Sequence, residues 1–304
     1  MGWFRRSQSS IKNLSIEPPA PGPDRAGVAI AVCVKNEAAY IAEWACFHRA
    51  VGVKHFIVYD NGSTDETCSV LASTLDASEL TIVPWAGRVA AAKTGQPIDG
   101  QVVAFAHAIL NFGGRFRRMA FIDVDEFLLP MTGKTIEEAL TATGDFPNVS
   151  LPWHMFGTSG HKQKPAGGIL TNYTRRAAKP IGGGEPASNF KCIVDPCEVT
   201  EVAVHHFTTR HFGDLTCNDV GQRADRRGRK QQGFYSNKAL QLNHYYSKSE
   251  EEMLAKMARG STYAASAARV EDKMRTTMRI IQENEVEDLA MVNFLSENRI
   301  DIGS

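Results

Sequence analysis

The chain has 304 residues, 43% hydrophobic and 22% charged, which is enough for one large domain or two small ones with real cores. Its 34 basic and 34 acidic residues cancel, so no global field points to nucleic acid. No run approaches the ~20 apolar residues of a spanning helix, and the 6 thinly spread cysteines read as reduced thiols of a cytoplasmic protein.

The opening MGWFRRSQSS lacks the apolar stretch of a secretory signal, and Arg6 breaks the myristoylation pattern. Trp3 and Phe4 beside Arg5 and Arg6 leave a peripheral membrane contact open. Residues 1–24 carry prolines and no periodicity, as a flexible arm would. From Gly27, GVAIAVCVK predicts a strand covered on both faces. NEAAYIAEWACFHRAVGV then sets Ile41, Trp44, Ala45 and His48 at helical spacing and stops at Gly52. KHFIVYD is a second strand. It breaks at NGSTDE, where Ser63 or Thr64 is placed to cap a helix carrying Asp65 and Glu66 in its first turn. TIVPW is a third strand whose Pro84 belongs near an edge. Residues 101–112 form a helix and MAFIDVDEFLLP a fourth strand.

This alternation predicts an α/β fold with a Rossmann-like, mostly parallel sheet and flanking helices. Ligands of such sheets bind beyond the carboxyl ends of the strands, where KNE, DNGSTD and DVDE all fall. Residues 144–235 are less regular, with FKCIVD and VAVHHF as strands. KSEEEMLAKMARG predicts a helix with a Ser249–Glu252 capping box and a stop at Gly260. Residues 264–298 read as one or two amphipathic helices. The expected organisation is an arm over 1–24, a domain over 25–260 and a helical extension over 261–304.

The acids of FIDVDEFLLP carry the chemistry. In an extended strand Asp123 and Asp125 share a face. Two adjacent carboxylates repel, and one tends to take up a proton. A divalent cation removes that conflict and leaves open positions for phosphate oxygens, the habit of Mg²⁺ and Mn²⁺. A salt-bridged pair of acids at a strand end is the plainer alternative.

The segments VKNEAAYIAEWACFHRAVGVKHFIVYDNGSTDET, FIDVDEFLLP, WHMFGTSGH and LNHYYSKSEEEMLAKMARG settle the context. In this order the sequence resembles glycosyltransferases of the GT-A fold, in particular the family 2-like and family 92-like group, although 161–235 matches poorly. The resemblance implies a metal-dependent, inverting transfer of a sugar from a nucleotide-sugar, by family habit a UDP-sugar, to a hydroxyl of a glycan or lipid-linked glycan. It implies that Lys35, Asn36, Glu37 and Asp60 receive the nucleotide. It makes Asp123 and Asp125 the DxD pair, with Asp125 the more direct ligand of Mn²⁺ or Mg²⁺. His244 is implied to complete the metal site, and Lys248 to reach the diphosphate. Trp153, Phe156 and Gly157 are expected at a sugar platform. For the general base, Glu185, Asp195, Asp214 and Asp219 are candidates, with Asp214 favoured, while Glu126 would orient basic groups. The setting implied is bacterial surface polysaccharide or lipopolysaccharide synthesis, at the cytoplasmic face of the inner membrane.

Three other readings stay open. Asp-x-Asp at a strand end also serves haloacid-dehalogenase-type phosphatases and nucleotidyltransferases. Cys192, Cys197, His205, His206, His211 and Cys217 cluster loosely enough to suggest zinc. RADRRGRK, residues 223–230, would suit a non-catalytic module gripping nucleic acid or another anion.

Overall fold

Val28–Val34 reads VAIAVCV, and its alternation serves two cores at once. Ile30, Val32 and Val34 face one layer with Trp44 and Phe47. Ala29 and Ala31 face the other with Phe105 and Ile109. The helices supplying these layers are Ile41–Ala50 and Gly100–Phe112, so the strand is covered on both sides as expected. Our computed structural model describes residues 9–180, 189–259 and 267–302.

The parallel core runs Arg118–Phe121, Val28–Val34, Val53–Asp60 and Leu80–Pro84. Leu80–Pro84 is the edge strand, which tolerates Pro84 because an edge leaves amide positions unpaired. On the other side Phe190–Val194 joins antiparallel to Arg118–Phe121, and Asn148–Phe156 joins it antiparallel in turn. Two short strands, Thr216–Cys217 and Arg223–Ala224, finish that edge. The sheet is therefore mixed, with the predicted parallel strands at its centre.

Asn148–Phe156 belongs to two layers. Residues 148–152 pair with Phe190–Val194, and residues 153–156 pair with Leu240–Tyr245. Leu240–Tyr245 also pairs antiparallel with Glu126–Pro130. MAFIDVDEFLLP is thus not one strand. Arg118–Phe121 ends in the main sheet, the chain turns through residues 122–125, and Glu126–Pro130 begins in the second layer. Asp123 and Asp125 sit in this elbow, so their shared strand face does not exist.

Other differences are local. Ser63 and Thr64 do not cap Thr67–Thr74. Glu66 is the N-cap residue and makes no side-chain cap, while Asp65 Oδ1, one residue earlier, accepts from Thr67 N at 3.0 Å. Part of the expected loose arm is held, because Asn13–Ser15 pairs antiparallel with Val199–Ala203. The C-terminal elements pack into the domain. Met291, Phe294 and Leu295 of helix Ala290–Asn298 join the core around Phe47, and Met278 and Ile281 of helix Ala267–Glu283 pack on Met155. The capping box at Ser249 is present, with Glu252 N donating to Ser249 Oγ at 3.2 Å and Ser249 N to Glu252 Oε2 at 3.1 Å. Gly260 and residues 3–6 lie outside the described residues. Among the described residues no helix is long and apolar enough to cross a membrane.

Candidate active site

The elbow is pinned from three directions. Glu126 N donates to Asp123 O at 3.1 Å, Tyr245 N to Asp125 O at 2.8 Å, and Trp44 Nε1 to Glu126 O at 3.0 Å. A bond within the turn, the second-layer strand and the first helix therefore hold the turn that presents the carboxylates.

Asp123 is clamped. Gln101 Nε2 donates to its Oδ1 at 2.9 Å, and Lys191 Nζ to its Oδ2 at 2.8 Å. Lys191 is buried, 1% exposed, and also stands 3.6 Å from Glu126 Oε2, while Asp123 keeps 38% of its side chain exposed. Asp125 faces His244 Nε2 at 3.5 Å through Oδ1 and receives Lys256 Nζ at 2.9 Å on Oδ2.

The three neighbouring carboxyls divide their protons unequally. Burial alone would raise Asp123, but the charge of Lys191 wins and its pKa is lowered. Burial is likewise overcome at Asp125, where Lys256 and His244 hold the carboxyl well below its usual range. Glu126 is fully enclosed, and burial pushes its pKa well above the ordinary 4.5. Lys191 is disfavoured by burial, yet Asp123 and Glu126 raise it on balance. The conflict expected between two aspartates is relieved by two lysines, while burial disfavours charge on Glu126. Glu126→Gln should therefore be tolerated, with a melting shift of at most about 3 °C, or roughly 1 kcal/mol. Calorimetry checks this; a much larger loss would mean Glu126 is folded as an anion.

Cationic and aromatic groups stand near this elbow, among them Lys248, whose charge acts on Asp125, and Trp153, which packs on His244. Lys248 Nζ sits 3.6 Å from the Tyr40 ring centroid and Lys164 Nζ 4.6 Å from it. Trp153 lies 4.5 Å from the His244 ring and 5.6 Å from that of His205. His244 Nδ1 and Trp153 Nε1 are buried with no hydrogen-bond partner among the described residues.

The strand ends are cross-linked beside it. Register sets Val34 against Asp60 and Asp60 against Pro84. Ser63 N donates to Asp60 Oδ1 at 3.0 Å, and Thr64 N to Asn36 Oδ1 at 2.8 Å. Asn36 adopts φ 57°, a left-handed conformation asparagine tolerates. Its side chain thus ties two loops together rather than standing free for a nucleotide. Lys35 is exposed, and the charge of Glu37 reaches Lys256.

Several expected roles do not survive the packing. Phe156 is 1% exposed and its ring lies 4.7 Å from that of Tyr245, so it is core rather than a sugar platform. Gly157 abuts helix Ala267–Glu283, and a Cβ there would meet Ile281 Cγ2 at 2.9 Å. Asp214 is exposed just before Thr216–Cys217, where Leu215 O accepts from Asn148. Asn148 pairs with Val194, and Val194 with Met119, so Asp214 lies toward the sheet end opposite Asp123. Asp195 shares that end and pairs with Arg25 at 2.6 Å. Asp219 Oδ2 accepts from Ala239 N and Leu240 N, at 2.7 and 3.2 Å, inside the fold. Glu185 lies outside the described residues.

The zinc cluster also disperses. Cys192 Sγ lies 3.6 Å from Ser150 Oγ, Cys197 Sγ 3.8 Å from Gly113 O, and His211 Nδ1 2.6 Å from Glu198. Among the described residues no three His, Cys, Asp or Glu side chains form a ready metal cage. Asp125 and His244 nevertheless suit one ion, since adjacent octahedral ligands at ~2.1 Å from a metal stand ~3 Å apart. Magnesium-type sites commonly take one or two carboxylates and complete themselves with substrate phosphate. Asp123, whose oxygens already accept from Gln101 and Lys191, positions the pair.

The glycosyltransferase family 92 model matches residues 28–279, which takes in the elbow, both sheets and His244. The chain belongs to glycosyltransferase family 92. A family 92 protein of Ricinus communis is 30% identical over 204 residues, covering 64% of this chain and 34% of that protein. One of Oryza sativa is 28% identical over 218 residues, covering 66% and 34%. The chain thus spans about a third of the length of the curated relatives it matches. Among solved structures, TarS of S. aureus in complex with UDP-GlcNAc is 16% identical, covering 56% of this chain and 45% of that one, with a TM-score of 0.33. The family 92 domain here has the GT-A plan of a parallel core with flanking helices that the segment order led us to expect.

Gln101, Lys191 and Lys256 were missed by the sequence reading. Lys191 left one signal: a lone lysine inside the apolar run FKCIV must find a buried anion. Gln101 and Lys256 leave none, because a polar residue on an amphipathic helix reads as solvent-facing.

Proposed function

We propose that this family 92 protein is a metal-dependent, inverting glycosyltransferase that moves a sugar from a UDP-sugar to a hydroxyl of a glycan acceptor. The observation that carries this reading is the Asp125–His244 pair, 3.5 Å apart at the elbow between two sheets. Lys256 adjoins the pair, with Lys248 and Lys164 on Tyr40 nearby.

A bound Mn²⁺ or Mg²⁺ would supply Lewis-acid stabilisation of the leaving diphosphate. Asp125 and His244 would hold it. Asp123, braced by Lys191 and Gln101, keeps Asp125's turn in place. Lys248 and Lys256 offer positive charge where the diphosphate gathers negative charge. Asp60 stands at the strand end where a nucleoside would enter, and Trp153 is the remaining aromatic of the expected sugar platform.

Charge balance makes a specific demand. Asp123 and Asp125 are matched by Lys191 and Lys256. A lone divalent ion would then add two uncompensated charges, whereas an ion carrying the doubly negative diphosphate of a UDP-sugar adds none and one carrying free UDP adds a slight negative excess. Titration calorimetry should therefore show weak Mn²⁺ binding alone and much tighter binding with UDP present. Equal Mn²⁺ affinity with and without UDP would overturn the metal assignment. A screen of nucleotide-sugars by thermal shift then identifies the donor, since the cognate one stabilises by mass action.

The acceptor we propose is a bacterial surface glycan, as polysaccharide or lipopolysaccharide, elongated at the cytoplasmic face. Exposed Arg223, Arg226 and Arg227 support an anionic acceptor, although Arg229 of the same stretch is buried on the Phe190 ring. The relatives named above are plant proteins, so the bacterial setting rests on the sequence resemblance.

A further inference from the structure

Of the described acids first expected to act as general base, Asp195 and Asp214 lie toward the opposite sheet end and Asp219 inside the fold, and Glu126 is enclosed. Another proton acceptor stands beside Trp153. His205 follows strand Val199–Ala203, and its ring faces Trp153 edge-on at 5.6 Å and 88°. Its Nδ1 lies 3.1 Å from Phe190 O. A carbonyl only accepts, so Nδ1 carries the hydrogen and Nε2 keeps its lone pair in the neutral ring. The backbone is held too, with Arg229 Nη2 donating to His205 O at 2.8 Å. Phe190 precedes Lys191, which clamps Asp123. His205 is partly exposed, and its Nε2 has no partner among the described residues.

We propose that His205 is the general base that accepts the proton of the attacking acceptor hydroxyl. This rests on the transferase reading above. The acceptor oxygen forms its bond to the anomeric carbon while the bond from that carbon to the diphosphate oxygen breaks. The bonding pair leaves with the diphosphate, and the hydroxyl proton passes to Nε2 and then to solvent. No atom needs an outside oxidant or reductant.

The environment suits the role. Burial lowers the imidazole to about 4, helped by the charge of Lys191, against the pull of Asp123. It therefore stays unprotonated at neutral pH and is about as basic as the carboxylates that commonly serve in this step. Lys191, Asp123 and Arg229 are the charged groups acting on it.

His205→Asn separates base from scaffold, because the asparagine Nδ2 can still donate to Phe190 O while nothing replaces Nε2. With Mn²⁺ and a panel of UDP-glucose, UDP-galactose and UDP-GlcNAc, UDP release to water or simple glycosides should fall about 10²–10⁴-fold. Calorimetric Mn²⁺–UDP affinity should stay within about twofold, as expected for a group that does not touch the donor. His205→Ala should behave alike and regain turnover when imidazole is added. Unchanged UDP release in His205→Asn, parallel loss of UDP binding, or no response of His205→Ala to imidazole would each overturn the assignment. If the wild-type chain itself neither binds Mn²⁺–UDP nor releases UDP from any donor, the transferase reading has failed, and the role of His205 with it.

Discussion

Asp125→Asn should abolish sugar transfer while leaving the fold intact. The substitution keeps the shape of the side chain and removes its charge. Asp125 Oδ1 would lose its hold on an ion shared with His244, and Lys256 would lose its anion. Removing one preorganised electrostatic group of this kind typically costs about 10²–10³ in rate. Losing an ion as well takes the expected fall to the upper end of that range or beyond. Stability should change little. The aspartate is partly solvated at 19% exposure, and its partner Lys256 at 42%, so the pair contributes about 1 kcal/mol or less. The test is UDP release from UDP-sugars with Mn²⁺, with calorimetric melting as the control for folding. Near-normal turnover by a folded Asp125→Asn protein would refute the assignment of this residue to the metal.

The second large effect is structural. Lys191→Met replaces a buried ammonium by an apolar chain of similar length and leaves Asp123 without its partner. Breaking a buried pair from one side costs about 3–5 kcal/mol. Because Asp123 keeps some solvent, we expect about 3 kcal/mol, a fall in melting temperature of roughly 6–12 °C. A double-mutant cycle assigns the cause. Asp123→Asn should restore much of the loss by removing the stranded anion, whereas Glu126→Gln should restore little, since burial already disfavours its charge.

The pH dependence follows with a definite sign. Asp123 has a folded pKa below its ordinary 3.8. Its stabilisation is present above that value and disappears as pH falls through the folded pKa. Wild type and Lys191→Met should therefore differ most near neutrality and converge only as pH falls below 3.8 and through the folded pKa of Asp123. A constant gap across that range would show that the lysine acts by packing alone.

Much of the architecture was legible because it is written locally. The run VAIAVCV required two covering layers, and the spacing of Ile41, Trp44, Ala45 and His48 required a helix. His48 itself reads as core: burial lowers its pKa to about 3, and its ring bonds Trp44 O and Leu128 N. The acidic cluster also marked the elbow where Lys191, Lys256 and His244 gather. The fault lay in treating FIDVDEFLLP as one strand, because apolar residues flank the acids on both sides and no glycine or proline marks the turn. Phe156 and Gly157 misled for a related reason, since composition does not reveal which neighbour covers a ring.

What the chain alone determined was the order of strands and helices, the family, and the place of three polar clusters at strand ends. The order and the clusters depend on periodicity within about ten residues, and the family on the resemblance of the four quoted segments. What only the folded molecule decided was the company those acids keep. Lys191 lies 68 residues from Asp123, Lys256 131 residues from Asp125, and Trp44 82 from Glu126. Such pairs arise where strands from distant parts of the chain change layer, and pairing across that distance leaves no period in the sequence to read.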